Sequence, residues 1–221
     1  MTILALEFSS PQRSVAVLRT DGTAMIAEAV ETGGHGANAF GMIEQVLAEA
    51  KVEREQIDVL AVGLGPGSYT GVRAAISLAQ GWQLARGVKL LGVSSADCLA
   101  AQARAEKILG RVNAVIDAQR NEFYLATYEI AADGWREAAP LKILSLAEVQ
   151  SGTGADGILI GPEVTRWFPA GRTIFPRAAA LAQLAARRGG FVSAEKLEPI
   201  YLRETNFVKS PPRRPDASGL R

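Results

Sequence analysis

The sequence predicts a two-lobed α/β protein, and three observations carry that prediction. Residues 3–8 form an almost continuous apolar run, the pattern of a strand buried on both faces. Residues 57–82, IDVLAVGLGPGSYTGVRAAISLAQGW, read as a strand, a glycine-rich turn and a helix. The opening strand–turn–strand unit then returns 110 positions later. Ala114-Val115-Ile116-Asp117 repeats the sense of Leu4-Ala5-Leu6-Glu7, and residues 124–128 fall on residues 14–18. A repeat of that kind argues for two lobes built on one plan.

The elements follow in order. The first strand ends in the turn Glu7-Phe8-Ser9-Ser10-Pro11. Residues 14–18 give a second strand, Asp21-Gly22 a hairpin turn and residues 23–30 a third strand. Gly33 and Gly34 break the pattern. Over residues 36–51 the apolar positions Phe40, Ile43, Val46, Leu47 and Ala50 mark one face of a helix. Residues 57–64 are the fourth strand, 70–85 the second helix and 89–93 a short fifth strand. Ser94 or Ser95 caps a third helix that runs to about Lys107. In the second unit, Asp133-Gly134 echoes the first hairpin turn and a strand follows at 136–144. Short strands are expected at 157–161 and 173–175. Residues 177–188 are helical by propensity, with Gly189-Gly190 ending the helix. Residues 197–203 read as a short extended or helical segment. The expected division is lobe I over 1–107, lobe II over 108–203 and a proline-rich, disordered end at 204–221.

Composition excludes several kinds of chemistry. The 221 residues carry a net charge of +1, so the molecule as a whole does not attract nucleic acid or a membrane surface. A single cysteine, Cys98, rules out an internal disulfide and suits a reducing compartment. The start MTILALEF lacks the basic region of a signal peptide, and no apolar run nears the ~20 residues of a membrane span. A cytoplasmic protein is expected. With His35 the one histidine, a zinc site of the usual kind lacks nitrogen and sulfur ligands. A serine triad lacks its elbow, because Ser68 has Pro66 before it and Thr70 after it.

The glycine turn admits two readings. It is neither a Walker loop nor a G-x-G-x-x-G motif, since its glycines fall at Gly65, Gly67 and Gly71. Amides at the helix start could bind a phosphate or carboxylate. Alternatively, Gly65 and Gly67 supply positive φ, Ser68 or Thr70 caps the helix, and Gly71, Ala74 and Ala75 allow close packing. Glu7 and Asp117, at equivalent strand ends, are equally ambiguous. They could face one cleft and hold a Mg²⁺–phosphate complex or act as acid and base, with Ser9 a further nucleotide candidate, or they could be ordinary strand-end acids, one of them capping a turn. The second helix carries small or apolar residues nearly all round, including Ala74, Ala75, Ile76, Leu78 and Ala79. That pattern implies burial on every side, one of them against another subunit. His35 reads as a loop residue. Arg213 and Arg214 read as a solvated basic tail, with contact to RNA phosphates as the alternative.

Four segments carry a resemblance to a known family: ILALEFSS with SVAVL, AVGLGPGSYTGVRAAISLAQG followed by GVSS, VIDAQRNEFYLATY, and LEPIYLR. Over residues 3–203 the chain resembles the TsaB (YeaZ) family, subunits of the tRNA threonylcarbamoyladenosine machinery. The resemblance implies a two-lobed actin-like, ribonuclease-H-like ATPase fold. It also implies a non-catalytic dimerisation and activation subunit, a paralogue of the TsaD transferase that moves a threonylcarbamoyl group onto the adenosine beside the anticodon. TsaD holds its metal with a pair of histidines, which a chain with one histidine cannot supply. The implied partners are a TsaD-type catalytic subunit, a TsaE-type ATPase and, in isolation, a second copy. tRNA is met only through the complex, and ATP, ADP or Mg²⁺ only within it. No catalytic, cofactor or metal residue of the chain's own is expected. The implied contact surface lies on the two helices of lobe I: Phe40, Ile43, Val46, Leu47, Gly71, Val72, Ala74, Ala75, Ile76, Leu78, Ala79 and Trp82.

The chain also departs from that family. Glu7 stands where aspartate is usual, His35-Gly36-Ala37-Asn38 replaces a histidine–serine start, and Asp117-Ala118-Gln119 with Arg120 replaces Asp-Ala-Arg. Two other readings stay open. One is an actin-like phosphotransferase or ATPase using Glu7, Ser9 and Asp117. The other is a glycopeptidase-like metallopeptidase, against which the lone histidine argues.

Overall fold

In a computed structural model of the chain, described over residues 1–20, 25–33, 38–152 and 157–202, two five-stranded sheets follow one plan. The first contains β1 (Thr2–Glu7), β2 (Gln12–Arg19), β3 (Met25–Thr32), β4 (Val59–Gly63) and β5 (Lys89–Val93), in the order β3-β2-β1-β4-β5. The second contains β6 (Gly110–Asp117), β7 (Glu122–Ile130), β8 (Trp135–Ser145), β9 (Ile158–Gly161) and β10 (Arg172–Thr173), in the order β8-β7-β6-β9-β10. Each sheet is an antiparallel three-strand meander followed by two parallel strands. The two-lobed α/β fold expected from the repeat is the fold found. Its register differs by one residue. Glu7 stands opposite Ser14, but Asp117 stands opposite Phe123, so the second turn is one residue shorter.

The helices are α1 (Ala39–Ala50), α2 (Tyr69–Arg86), α3 (Ser95–Ala105), α4 (Leu146–Gly152) and α5 (Ala178–Arg187). Strand alternation decides what each covers. Leu4 and Leu6 of β1 face a core shared with α1 and α2, whereas Ile3 and Ala5 face Ala178, Leu181, Ala182 and Ala185 of α5. On the second sheet, Val112 and Ala114 pack with Ala96, Leu99, Ala100 and Ala103 of α3, while Val149 of α4 joins Val115, Phe123 and Leu125 on the other face. The helix that ends each unit therefore packs on the other unit's sheet.

Capping explains the helix ends. Asn38 accepts a hydrogen bond from the Gly41 amide at the start of α1, and Gly87 ends α2 at a φ of 68°. Ser94, not Ser95, caps α3, by accepting from Ala96 N. Helix α5 has no cap from its own turn. Ser14 Oγ of β2 takes the Ala178 amide at 2.8 Å, and Glu28 of β3 takes the Ala179 amide at 3.0 Å and the Arg177 fork at 3.1 and 2.6 Å. Its last residue leads into Arg188 in extended backbone, so the Gly189-Gly190 stop lies just past the cap. Helix α4 was not foreseen. Among the described residues no helix is long and apolar enough to cross a membrane. The Asp21-Gly22 turn, His35 and the segment 204–221 with Arg213 and Arg214 lie outside the described residues.

Candidate functional site

The glycine turn between β4 and α2 is packed from its concave side by the chain itself. Gly67 has a φ of +146°, and a Cβ there would lie 2.1 Å from the Ser9 carbonyl oxygen. A Cβ on Gly71 would lie 2.0 Å from the Phe8 carbonyl oxygen, and one on Gly63 2.0 Å from Glu7 Oε2. Three glycines thus mark close approach of the β1–β2 turn. The Ser68 amide donates to the Ser9 carbonyl at 2.7 Å, while Ser68 Oγ accepts from the Gly71 amide at 3.2 Å and caps α2. The carbonyls of Phe8 and Ser9, not a ligand, thus meet the glycines of this helix start, and Ser68 takes the Gly71 amide.

Glu7 lies beneath that joint and is fully buried. Its Oε1 accepts from the Ser9 amide at 2.8 Å, and its Oε2 from Ser95 Oγ at 2.9 Å. Ser95 Oγ in turn accepts from the Gly65 amide at 3.2 Å. One carboxylate therefore ties the end of β1 to the glycine turn and to α3. Burial pushes the Glu7 carboxyl above the ordinary carboxylate range, against the pull of hydrogen bonds from Ser9, Ser95 and Cys98. The same burial, with the charges of Glu7 and Asp97, pushes the Cys98 thiol up. Ser9 is only 5% exposed, so neither it nor Glu7 offers a face to a ligand.

Asp117 is placed otherwise. It is partly exposed, and its oxygens accept from the Gln119 amide at 2.7 Å and from Gln119 Nε2 at 3.1 Å. That closes a turn in which Gln119, Arg120 and Asn121 all have positive φ, at 65°, 60° and 58°. No hydrogen bond joins Asp117 to Glu7, and each carboxylate bonds within its own surroundings. Among the described residues no three histidine, cysteine or acidic side chains gather as a metal site.

The two helices of the first lobe divide the residues expected at a contact surface. Ile43, Val46, Leu47, Gly71, Val72, Ala75, Ile76 and Ala79 are buried against the chain's own first sheet. Leu78 and Trp82 are half-buried, and the Trp82 indole nitrogen has no hydrogen-bond partner. Exposed are Phe40 at 67% and Ala74. The surface that α1 and α2 present is completed by Tyr69, Arg73, Ser77, Gly81 and Leu84, which sequence reading did not single out. Leu84 is 90% exposed. Tyr69 stacks on Tyr201 with ring centroids 5.8 Å apart, and the Arg73 guanidinium lies 4.6 Å from the Tyr69 ring centre. Tyr201 reaches this point because the chain after α5 returns along the first sheet. Val192 bridges Leu90, Leu197 enters the first core, and the Ile200 amide donates to the Leu64 carbonyl. The tyrosine in GPGSYTGVR and the one in LEPIYLR were visible in sequence, but their pairing needs that return.

Residues 30–186 match the family model described as TsaD, tRNA N6-adenosine threonylcarbamoyltransferase. The chain is 30% identical to the tRNA threonylcarbamoyladenosine biosynthesis protein TsaB of Escherichia coli (strain K12), over 96% of this chain and 99% of that one. It is also 30% identical to the protein of the same name from Haemophilus influenzae, over 96% of this chain and 98% of that one. In structure it is similar to YeaZ from Pseudomonas aeruginosa, with a TM-score of 0.77 and 33% identity over 91% of this chain and 99% of the other.

Proposed function

The chain belongs to the TsaB family of tRNA threonylcarbamoyladenosine biosynthesis proteins, and on that footing we propose that it serves tRNA threonylcarbamoyladenosine formation in the cytoplasm as a non-catalytic subunit. It binds and supports a TsaD-type transferase through the outer faces of α1 and α2, and pairs with a second copy through the same faces when alone. A TsaE-type ATPase joins the working complex, and tRNA is met only there. The observation that carries this reading is the self-packed glycine turn. At the start of α2 the Phe8 and Ser9 carbonyls pack against Gly71 and Gly67, the Gly71 amide is taken by Ser68, and the nearby carboxylate of Glu7 is buried. What remains open is the helical surface, with Phe40, Tyr69, Arg73 and Leu84 as anchors of the kind that dominate protein interfaces. Ala74, Ser77 and Gly81 between them let another helix approach closely.

The test is binding of the purified chain to a TsaD-type protein, with tRNA modification as the second readout. Phe40→Glu with Ala74→Glu alters exposed positions, so the chain should fold with unchanged Tm. We expect about a thirtyfold or greater loss of affinity and a matching loss of modification. A folded double variant that still binds and restores modification would place the interface elsewhere.

A further inference from the structure

A groove lies where α3 and α5 meet, at their C-terminal ends, beside the turn that joins β7 to β8. It encloses about 460 Å³, within the roughly 300–1,000 Å³ of small-molecule sites. Its charged residues are all cationic: Arg104 and Lys107 from the end of the first unit and Arg187 from the second. Trp135, Leu109 and Leu184 supply the apolar wall. Arg104 is already positioned, since its Nε and Nη2 donate to the Ala132 carbonyl at 3.2 and 3.0 Å. Trp135 is held edge-on against Tyr128, whose hydroxyl donates to Asp97 Oδ1 at 3.0 Å. Lys107 and Arg187 make neither an ion pair nor a side-chain hydrogen bond among the described residues.

Basic residues in the last turn of a helix have an ordinary use, the neutralising of its dipole. The magnitudes show an excess here. Two helix C-termini contribute about half a negative charge each and Glu106, the cap of α3, about one more, and the three cations still exceed that total. The surplus of positive charge faces a groove with an apolar wall. From this we infer that the junction of α3 and α5 is a binding site for a small organic phosphate, its phosphate on Lys107, Arg187 and Arg104 and its apolar body against Trp135, Leu109 and Leu184. Because α3 rests on the second sheet and α5 on the first, such a ligand bridges the two lobes.

Calorimetric titration of the full chain with AMP tests the site, with inorganic phosphate and adenosine as its two halves. We expect saturable AMP binding that weakens with salt, and about tenfold or greater weakening for either half alone. Lys107→Gln with Arg187→Gln should weaken AMP by a similar factor, while Arg54→Gln, an exposed cation of the first lobe, leaves it unchanged. Both altered residues are exposed, so the fold should survive. The inference is overturned if AMP does not saturate, if the double variant binds as the parent does, or if inorganic phosphate binds as tightly as AMP. It is also overturned if Asp117→Ala, rather than the groove variant, removes binding.

Discussion

At the end of β1 the chain turns through Phe8 and Ser9 beneath the glycine-rich segment. At the end of β6 it turns through Gln119, Arg120 and Asn121 in the open. The strands before these turns are equivalent in sheet order, and each ends in an acid. What differs is the connection that arrives above. Between β4 and β5 the chain builds the 18-residue α2. Between β9 and β10 it builds a 3-10 turn of three residues, Val164–Arg166. The first turn is clamped by a helix start and its acid is buried. The second has no counterpart of that helix, keeps its acid at the surface and holds three residues in left-handed backbone. A repeated strand end thus acquires its chemistry from the element laid over it.

The comparison breaks most visibly at Gly71. If the first turn is a packed joint, Gly71→Ala drives a Cβ into the Phe8 carbonyl and should destabilise the chain by about 3 kcal/mol. Urea unfolding measures this, and a variant within experimental error of the parent would show that the joint is loose. Glu7→Gln sharpens the contrast next. It leaves an amide group facing the donors of Ser9, Ser95 and Cys98, at an expected cost of about 1–3 kcal/mol, whereas Asp117→Asn at a solvated turn should cost well under that. The Glu7 effect also depends on pH. The folded chain holds this carboxyl more protonated than the unfolded chain does. Its contribution is therefore complete below its ordinary value of 4.5 and is lost as pH rises through the raised folded value. Glutamine suffers no such loss, so the stability gap between parent and Glu7→Gln should narrow as pH rises above 4.5. A gap that stays flat or widens, in denaturant midpoints taken across that range, would contradict a buried acid here. The smallest effect belongs to the second turn. Arg120→Gly relieves a left-handed residue and should raise stability by about 0.5 kcal/mol, the difference between that relief and the added freedom of the unfolded chain. A thermal melt that shifts downward would mean that Arg120 makes a contact worth more than its strain.

Much of this contrast was written in local pattern, and the decisive part was not. The apolar run of β1, the five residues of β5 and the capped start of α3 are local signals. Each depends on neighbours within a few positions. The repeat was legible at β1 and β6 because strand period and strand-end acid coincide, yet the shorter second turn shifts β7 by one position. Helix α4 escaped because seven residues with one buried side chain, Val149, carry no periodicity. The burial of Glu7 depends on Gly63 and Ser95, which are 56 and 88 positions away. No window of sequence contains that contact. The outer face of α2 is a different case. Alanine, serine and glycine are as much at home in water as in a core, so the ring of small residues does not by itself say which side the chain leaves open, and Ala74, Ser77 and Gly81 are that side.

The exchange of terminal helices has a consequence for how the chain is made. The first sheet is complete once residue 93 has been synthesised. The helix that covers the face bearing Ile3, Ala5, Val59 and Ala61 does not finish until residue 187. At about 5–20 residues per second, that face waits on the order of 5–20 seconds without its native cover. Over that interval the nascent protein is a half-clad sheet with an apolar face open to water. Its vulnerability is set by translation speed rather than by the stability of the finished fold.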